Sequence, residues 1–155
     1  MTRQVTITTV LVIVLGVVAG CSATSGAPSA ETASAMPIPS VEIPADATLV
    51  SLSIPSDKRQ APFQLDGKPV TELQVRAGIP YVFDVAIPGP RQHNFWIGAA
   101  TDLAAREYDR LTGTHLWSEG SRSVVYTFEP GQQIQWACTL AGHYGLMHGD
   151  FVVTS

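Results

Sequence analysis

Beyond residue 47, apolar and polar positions alternate in short runs, as they do in half-buried β-strands. β-Branched and aromatic residues are concentrated in these runs, and Gly or Pro separates one run from the next. The regular spacing predicts an all-β antiparallel sandwich or barrel of about 105 residues. The predicted strands span residues 48–54, 62–66, 70–76, 80–87, 92–98, 122–129, 132–138 and 149–154.

One segment after the fifth predicted strand departs from the two-residue period, because its apolar residues recur at helical intervals. These residues are Ala100, Leu103, Ala104, Tyr108 and Leu111. Thr101 is placed to cap the helix and Gly113 to end it. The pattern therefore predicts one short helix over 101–111, on which Asp102 and Arg106 stand four residues apart and can form a surface ion pair.

The N-terminal residues have the layout of a secretory signal. Arg3 precedes an apolar run from Val10 to Ala19, which is shorter than the roughly 20 residues of a membrane span. The run ends in Val18-Ala19-Gly20-Cys21, which resembles a bacterial lipobox, where the signal is cleaved before a Cys that is then lipidated. We expect residues 1–20 to be a lipoprotein signal peptide and Cys21 to hold the chain on the outer side of a bacterial membrane, in a periplasmic or other extracytoplasmic location. A plain secretory signal or an uncleaved anchor is the alternative.

Residues 22–47 are rich in Ala, Ser, Thr, Gly and Pro and have no apolar period, so we predict a disordered tether at 21–47 and a single domain at 48–155. A chain of 155 residues has room for one such domain. With 13 acidic and 9 basic residues, the formal charge is −4. No run of Lys or Arg occurs, which argues against nucleic-acid binding. We expect a monomer.

Candidate chemistry is concentrated between Cys138 and Met147, where a thiol, the imidazole of His143 and a thioether lie within ten residues. A second imidazole, His93, is on the predicted strand 92–98. Two His, one Cys and a weak axial Met are the donor set of a blue-copper electron-transfer site. A dinuclear copper centre with two bridging Cys is excluded, because this loop contains only Cys138.

The Cys-x4-His-x3-Met spacing of this loop, together with the upstream His93-Asn94-Phe95, resembles the cupredoxins, small blue-copper proteins of the azurin kind. The resemblance implies a Greek-key β-sandwich or barrel that binds one copper ion. It further implies that His93, Cys138 and His143 are the strong ligands and that Met147 is the weak axial ligand.

The resemblance also implies a supporting layer around the ligands. Asn94 is expected to donate its backbone amide to the Cys sulfur and to join the two ligand segments through its side chain and Thr139. Ala141 stands where the family often has Pro, and Gln92 stands where it usually has Gly, so we leave Gln92 out of the site. Strand alternation places His148 facing away from Met147.

These features predict a non-enzymatic carrier of single electrons between exported proteins such as c-type cytochromes or oxidases. A copper-binding module for tolerance or delivery is the alternative from another class. A metal-free adhesion domain is a third interpretation, and a Cys138–His143 hydrolase pair a fourth, although no acid is placed to orient that His. Without lipidation, Cys21 and Cys138 are also available for a disulfide.

Overall fold

The computed structural model describes residues 43–55 and 58–155. The predicted signal peptide, Cys21 and most of the predicted tether lie outside these residues and stay predictions. No helix within the described ranges is long and apolar enough to cross a membrane. The elements are β1 Thr48–Ser53, β2 Gln64–Leu65, β3 Lys68–Pro69, β4 Glu72–Arg76, β5 Pro80–Ile87, β6 His93–Gly98, α1 Ala100–Ala105, a 3-10 turn Tyr108–Arg110, β7 Thr112–Trp117, β8 Gly120–Thr127, β9 Ile134–Ala137 and β10 His148–Thr154.

The strands form two five-stranded sheets, with the orders β3-β2-β1-β5-β8 and β4-β10-β9-β6-β7. The predicted all-β fold with one short helix after the His93 strand is confirmed. The expectation of purely antiparallel sheets is wrong, because β1 pairs with β5, and β4 with β10, in parallel. Side chains alternate with the same period in parallel and antiparallel strands, so the sequence pattern does not distinguish them.

Aromatic rings fill the main core. Phe83, on β5, packs against Phe128 with ring centroids 6.2 Å apart and against Phe151 at 5.3 Å. Trp136 on β9 packs against Phe151 at 4.8 Å. Burying each side chain of this kind stabilises the fold by about 1.5–3 kcal/mol. Gly149 on β10 is required here, because any Cβ at this position would collide with the Trp136 ring.

The helix is shorter than predicted. It ends at Ala105, because Arg106 takes a left-handed conformation with φ 62, and a 3-10 turn follows it. The N-cap residue is Ala99, without a side-chain capping bond, rather than Thr101. Asp102 pairs with Arg110 at 3.5 Å rather than with Arg106.

The segment after the helix also differs from the prediction. Gly113 lies within β7, a strand that was not predicted. A Cβ at Gly113 would collide with the backbone of β6, so glycine allows β6 and β7 to approach closely. The apolar spacing that predicted the helix still corresponds to real packing, because Leu103 and Leu111 share a small buried cluster with Trp96 of β6 and Ala137 of β9.

The register of β6, β9 and β10 determines where the chemistry is located. Trp96 is opposite Ala137 in the β6–β9 pair, and His148 is opposite Ala137 in the β9–β10 pair. Antiparallel pairing therefore places the first residues of β6 beside the residues that follow β9. The residues just before β10 lie beside this same segment after β9, on its other side. This end of the second sheet is where His93 meets the loop from Cys138 to Met147.

Candidate metal centre

The loop between β9 and β10 is a chain of tight turns closed at its base. The N–H of Cys138 donates to the carbonyl of Met147 at 2.8 Å, which extends the β9–β10 ladder by one bond. Inside the loop, the carbonyl of His143 accepts hydrogen bonds from Leu146 and Met147 at 3.0 and 2.9 Å. Gly142 has φ 81, a conformation that glycine adopts without strain. Backbone bonds thus fold the loop back toward its first residue.

Three predicted ligands converge at this end of the sheet. Ligand atoms of His93, Cys138 and His143 all lie within 4.8 Å of one another. The Cys138 sulfur is 3.9 Å from Nδ1 of His93 and 3.5 Å from Nδ1 of His143. His93 is 1% exposed, Cys138 is 0% exposed and His143 is 7% exposed. A strand and a loop therefore build a compact, nearly water-free cluster of one thiol and two imidazoles.

Met147 belongs to the same loop and has a fully buried side chain. Its N–H donates to the His143 carbonyl, and its own carbonyl accepts from Cys138. These bonds fix the backbone of Met147 next to two members of the cluster. The roles of Met147 as axial ligand and of the other three residues as equatorial ligands stay predictions.

A second layer of hydrogen bonds joins the strand to the loop. The Asn94 side chain donates from Nδ2 to the Thr139 hydroxyl at 2.9 Å and accepts the Thr139 N–H at 2.7 Å. Backbone hydrogen bonds from Asn94 and Leu140 oppose the effect of burial on the pKa of the Cys138 thiol. The predicted Asn94–Thr139 link is thus present, and it holds the sulfur and His93 in a fixed relation. The Tyr108 hydroxyl lies 3.2 Å from the Thr139 hydroxyl, a contact that the sequence did not indicate.

Burial sets the protonation of the cluster. Burial, with smaller contributions from His143 and Arg91, lowers the pKa of His93 to about 4. Burial and the charge of Arg59 lower the pKa of His143. Burial raises the pKa of the Cys138 thiol, against the opposing effect of its backbone hydrogen bonds. At neutral pH both imidazoles are therefore in the neutral form that binds a metal.

The donor set fits copper. A thiol and a thioether are soft ligands that favour copper, and imidazole suits it as well. Backbone hydrogen bonds lower the pKa of the Cys138 thiol against the larger effect of burial, and they thereby favour the thiolate form that binds a metal. Two neutral imidazoles within reach of that sulfur complete the donor set of a type 1 site.

Residues that the sequence placed outside the site are indeed apart from the three-residue cluster. The ring of His148 stacks on Tyr144 at 5.1 Å, and its Nδ1 donates to the Tyr144 carbonyl at 2.8 Å. His115 is exposed and lies on β7. The Tyr144 hydroxyl donates to Gln135 Oε1 at 2.8 Å, which gives this ring a structural role.

Two arginines near the site were missed by sequence reasoning. Arg59 and Arg91 line a surface depression together with His143. Arg91 stands only two residues before His93 in the sequence, and this proximity was the available signal. Arg59 is far from the ligands along the chain, so only the fold reveals its position.

The chain is similar to known proteins in its fold, as solved structures show. No family model matches this sequence, and a search of curated proteins found no match. The fold is similar to that of dithionite-reduced auracyanin from the photosynthetic bacterium Roseiflexus castenholzii, with TM-score 0.56 and 18% identity over 70% of this chain and 98% of that one.

Two further structures show the same likeness. Auracyanin A, a "blue" copper protein from the green thermophilic photosynthetic bacterium Chloroflexus aurantiacus, aligns with TM-score 0.52 and 20% identity over 70% of this chain and 99% of that one. An azurin from the obligate methylotroph Methylomonas sp. strain J gives TM-score 0.51 and 15% identity over 70% of this chain and 98% of that one. These alignments cover almost the whole of each relative and establish the fold.

Proposed function

We propose that this chain, which has the cupredoxin fold, binds one copper ion and carries single electrons between exported redox proteins. The observation that carries the proposal is the buried cluster in which ligand atoms of His93, Cys138 and His143 lie within 4.8 Å of one another. Copper, when bound, supplies a one-electron change of oxidation state in a geometry that both states share. The similar structures, which include a protein described as a blue copper protein, support this assignment.

The protein's contribution is to hold the ligands still. His93 lies on a strand whose six residues are all buried, and Cys138 directly follows the end of β9. The double hydrogen bond between Asn94 and Thr139 fixes one segment against the other. A rigid, dry ligand set limits structural rearrangement during electron transfer, because close-packed interiors do not deform freely.

The electron is proposed to enter and leave through His143. It is the most exposed of the three clustered residues, at 7%. Leu146, 57% exposed, and the exposed Ala141 and Gly142 belong to the same loop. These exposed residues give a partner surface a place to dock beside the imidazole of His143. We propose c-type cytochromes or oxidases as partners, because they exchange single electrons outside the cytoplasm.

The proposed location follows from the N-terminal sequence. An apolar run that ends at Cys21 supports export and lipid anchoring. The tether at 21–47 would then let the domain move between membrane-bound partners, because a segment rich in small residues and Pro is extended or flexible.

Copper delivery without electron transfer is disfavoured by burial. A delivery site must release its ion rapidly, whereas His93 and Cys138 are 1% and 0% exposed. Challenge of the copper-loaded protein with a strong chelator separates the two functions. We expect copper loss over hours in an electron carrier, and loss within seconds would support delivery.

The proposal is tested by voltammetry of the copper-loaded full chain. We expect one reversible one-electron wave, which His93→Ala and Cys138→Ser abolish. His115→Ala is the matched control, because His115 is an exposed histidine outside the cluster, and it should retain the wave. A wave that survives in His93→Ala would refute the proposed ligand set.

A further inference from the structure

A depression of about 600 Å³ opens at the surface beside His143. Its lining residues come from the segment before β2, from the residues before β6 and from the loop Cys138–Met147, which we call the metal loop. They are Arg59, Pro90, Arg91, Gln92, Leu140, Ala141 and His143. We call this the arginine depression, because both formally charged side chains in its lining are arginines.

The local charge of the arginine depression is opposite to that of the chain. The sequence has 13 acidic and 9 basic residues and a formal charge of −4. At long range such a protein repels an anionic partner. Screening over about 8 Å at physiological salt weakens the charges elsewhere on the chain, whereas the two arginines line the depression itself.

The segments that carry the two arginines lie beside the metal end, by which we mean the cluster of His93, Cys138 and His143 and the loop that follows Cys138. The segment that carries Arg59 contacts the metal loop, since Gln60 Nε2 lies 3.5 Å from the position that a Cβ on Gly142 would occupy. Arg91 is two residues from His93. Both arginines line the same depression as His143, so their charges lie at the entrance to that ligand.

We propose that the arginine depression receives carboxylates from the surface of an acidic redox partner protein, which brings that partner's cofactor toward the edge of His143. This inference rests on the proposed electron-transfer function. Complementary charge at a docking surface acts mainly on the association rate and on the choice of partner. Arginine suits the role, since its planar guanidinium forms paired hydrogen bonds with carboxylates.

The test compares oxidation of the reduced, copper-loaded full chain by two small probes of opposite charge. These are hexacyanoferrate(III) and the tris(1,10-phenanthroline)cobalt(III) cation, each followed by stopped flow at low ionic strength. We expect Arg59→Glu and Arg91→Glu each to slow the anionic reaction about tenfold and to accelerate the cationic one. Added salt should reduce both differences.

Arg76→Glu is the matched control. It changes the net charge by the same amount, and Arg76 is an exposed residue that pairs with Thr154 at the far end of β10. We expect a change of less than about twofold, because its charge lies beyond the screening distance from His143. Equal slowing in Arg76→Glu and Arg91→Glu would overturn the proposal, since net charge alone would then explain the effect.

A protein partner is tested with an acidic and a basic c-type cytochrome. The wild-type protein should react faster with the acidic cytochrome, and Arg59→Glu with Arg91→Glu should remove that preference. A preference for the basic cytochrome in the wild type would contradict the inference. Failure of the underlying function has a different signature, because a chain without a redox-active copper would react with neither small probe.

Discussion

Two buried regions of this protein have opposite chemistry. The core between the sheets consists of aromatic and aliphatic side chains, such as Phe83 and Phe128, both 0% exposed. The metal end is buried almost as completely, yet it contains all the buried polar or charged residues of the described part of the chain. These are His93, Asn94, Thr139 and His143.

The difference separates what folds the chain from what gives it a function. Apolar burial is favourable without further conditions, whereas buried polar groups cost free energy unless each finds a partner. At the metal end, Asn94 and Thr139 satisfy each other, but the imidazoles and thiol face one another. We infer that the core supplies most of the stability and that the metal end supplies the chemistry.

The largest expected effect comes from cutting into the core. Phe83→Ala should lower the free energy of unfolding by about 3–5 kcal/mol, because it removes a large buried side chain and leaves a cavity. Urea unfolding of the metal-free protein measures this. Leu49→Ala is the control, since Leu49 is 64% exposed on neighbouring β1, and it should cost less than about 0.5 kcal/mol. Similar costs for both variants would refute a stability centred on the core.

Disrupting the second layer of the metal end should have an intermediate effect. Asn94→Ala removes both hydrogen bonds to Thr139. It should cost about 1–3 kcal/mol for each buried group left unpaired and shift the reduction potential of the copper protein. Ser123→Ala is the control. It removes a partly buried bond to Asp84. Both residues lie on the first sheet, away from the metal end, so the potential should be unchanged. An equal shift of the reduction potential in Ser123→Ala and Asn94→Ala would show that the Asn94–Thr139 hydrogen bonds have no special role.

The metal-free protein should lose stability as the pH falls. Because the pKa of His93 is lowered from 6.5 to about 4, the unfolded chain binds a proton that the folded chain does not between these values. The free energy of unfolding should therefore fall by about 1.6 kcal/mol between pH 6.5 and 5 from this residue alone. Urea titrations of wild type and His93→Gln test this. Identical pH profiles would contradict the burial cost assigned to His93.

The smallest expected signal is proton release on copper binding. Because the pKa of the Cys138 thiol is raised and the pKa values of both imidazoles are lowered, only the thiol carries a displaceable proton at pH 7. Binding should release about one proton per copper, and the affinity should rise about tenfold per pH unit near neutrality. Titration in weak buffer with an indicator measures the release. Two or more protons would mean that the imidazoles are charged in the metal-free cluster.

The sequence predicted the metal end better than the scaffold around it. The donor cluster follows from a loop of ten residues and one strand, and the loop's spacing alone brings Cys138 and His143 together. Strands with clear alternation, such as β5, were predicted with the observed ends. Strand alternation and ligand spacing are local properties of the chain, so they can be read from the sequence.

What the sequence did not predict depends on long-range packing. Strand β7 has the sequence Thr-Gly-Thr-His-Leu-Trp, whose alternation is weak, and it becomes a strand because β6 offers it an edge. The helix ended early because Arg106 takes a left-handed conformation, which no apolar spacing reveals. Parallel pairing joins strands that are distant along the chain, and the depression beside His143 is lined by Arg59 and Arg91 from two distant segments.

The central claim is tested most directly by absorption and electron paramagnetic resonance spectra of the copper(II)-loaded full chain, recorded beside Cys138→Ser. The account predicts an intense blue or green thiolate charge-transfer band at one copper per chain, lost in Cys138→Ser and retained in His115→Ala. A colourless wild-type protein that binds one copper, or a band that persists without Cys138, would contradict it.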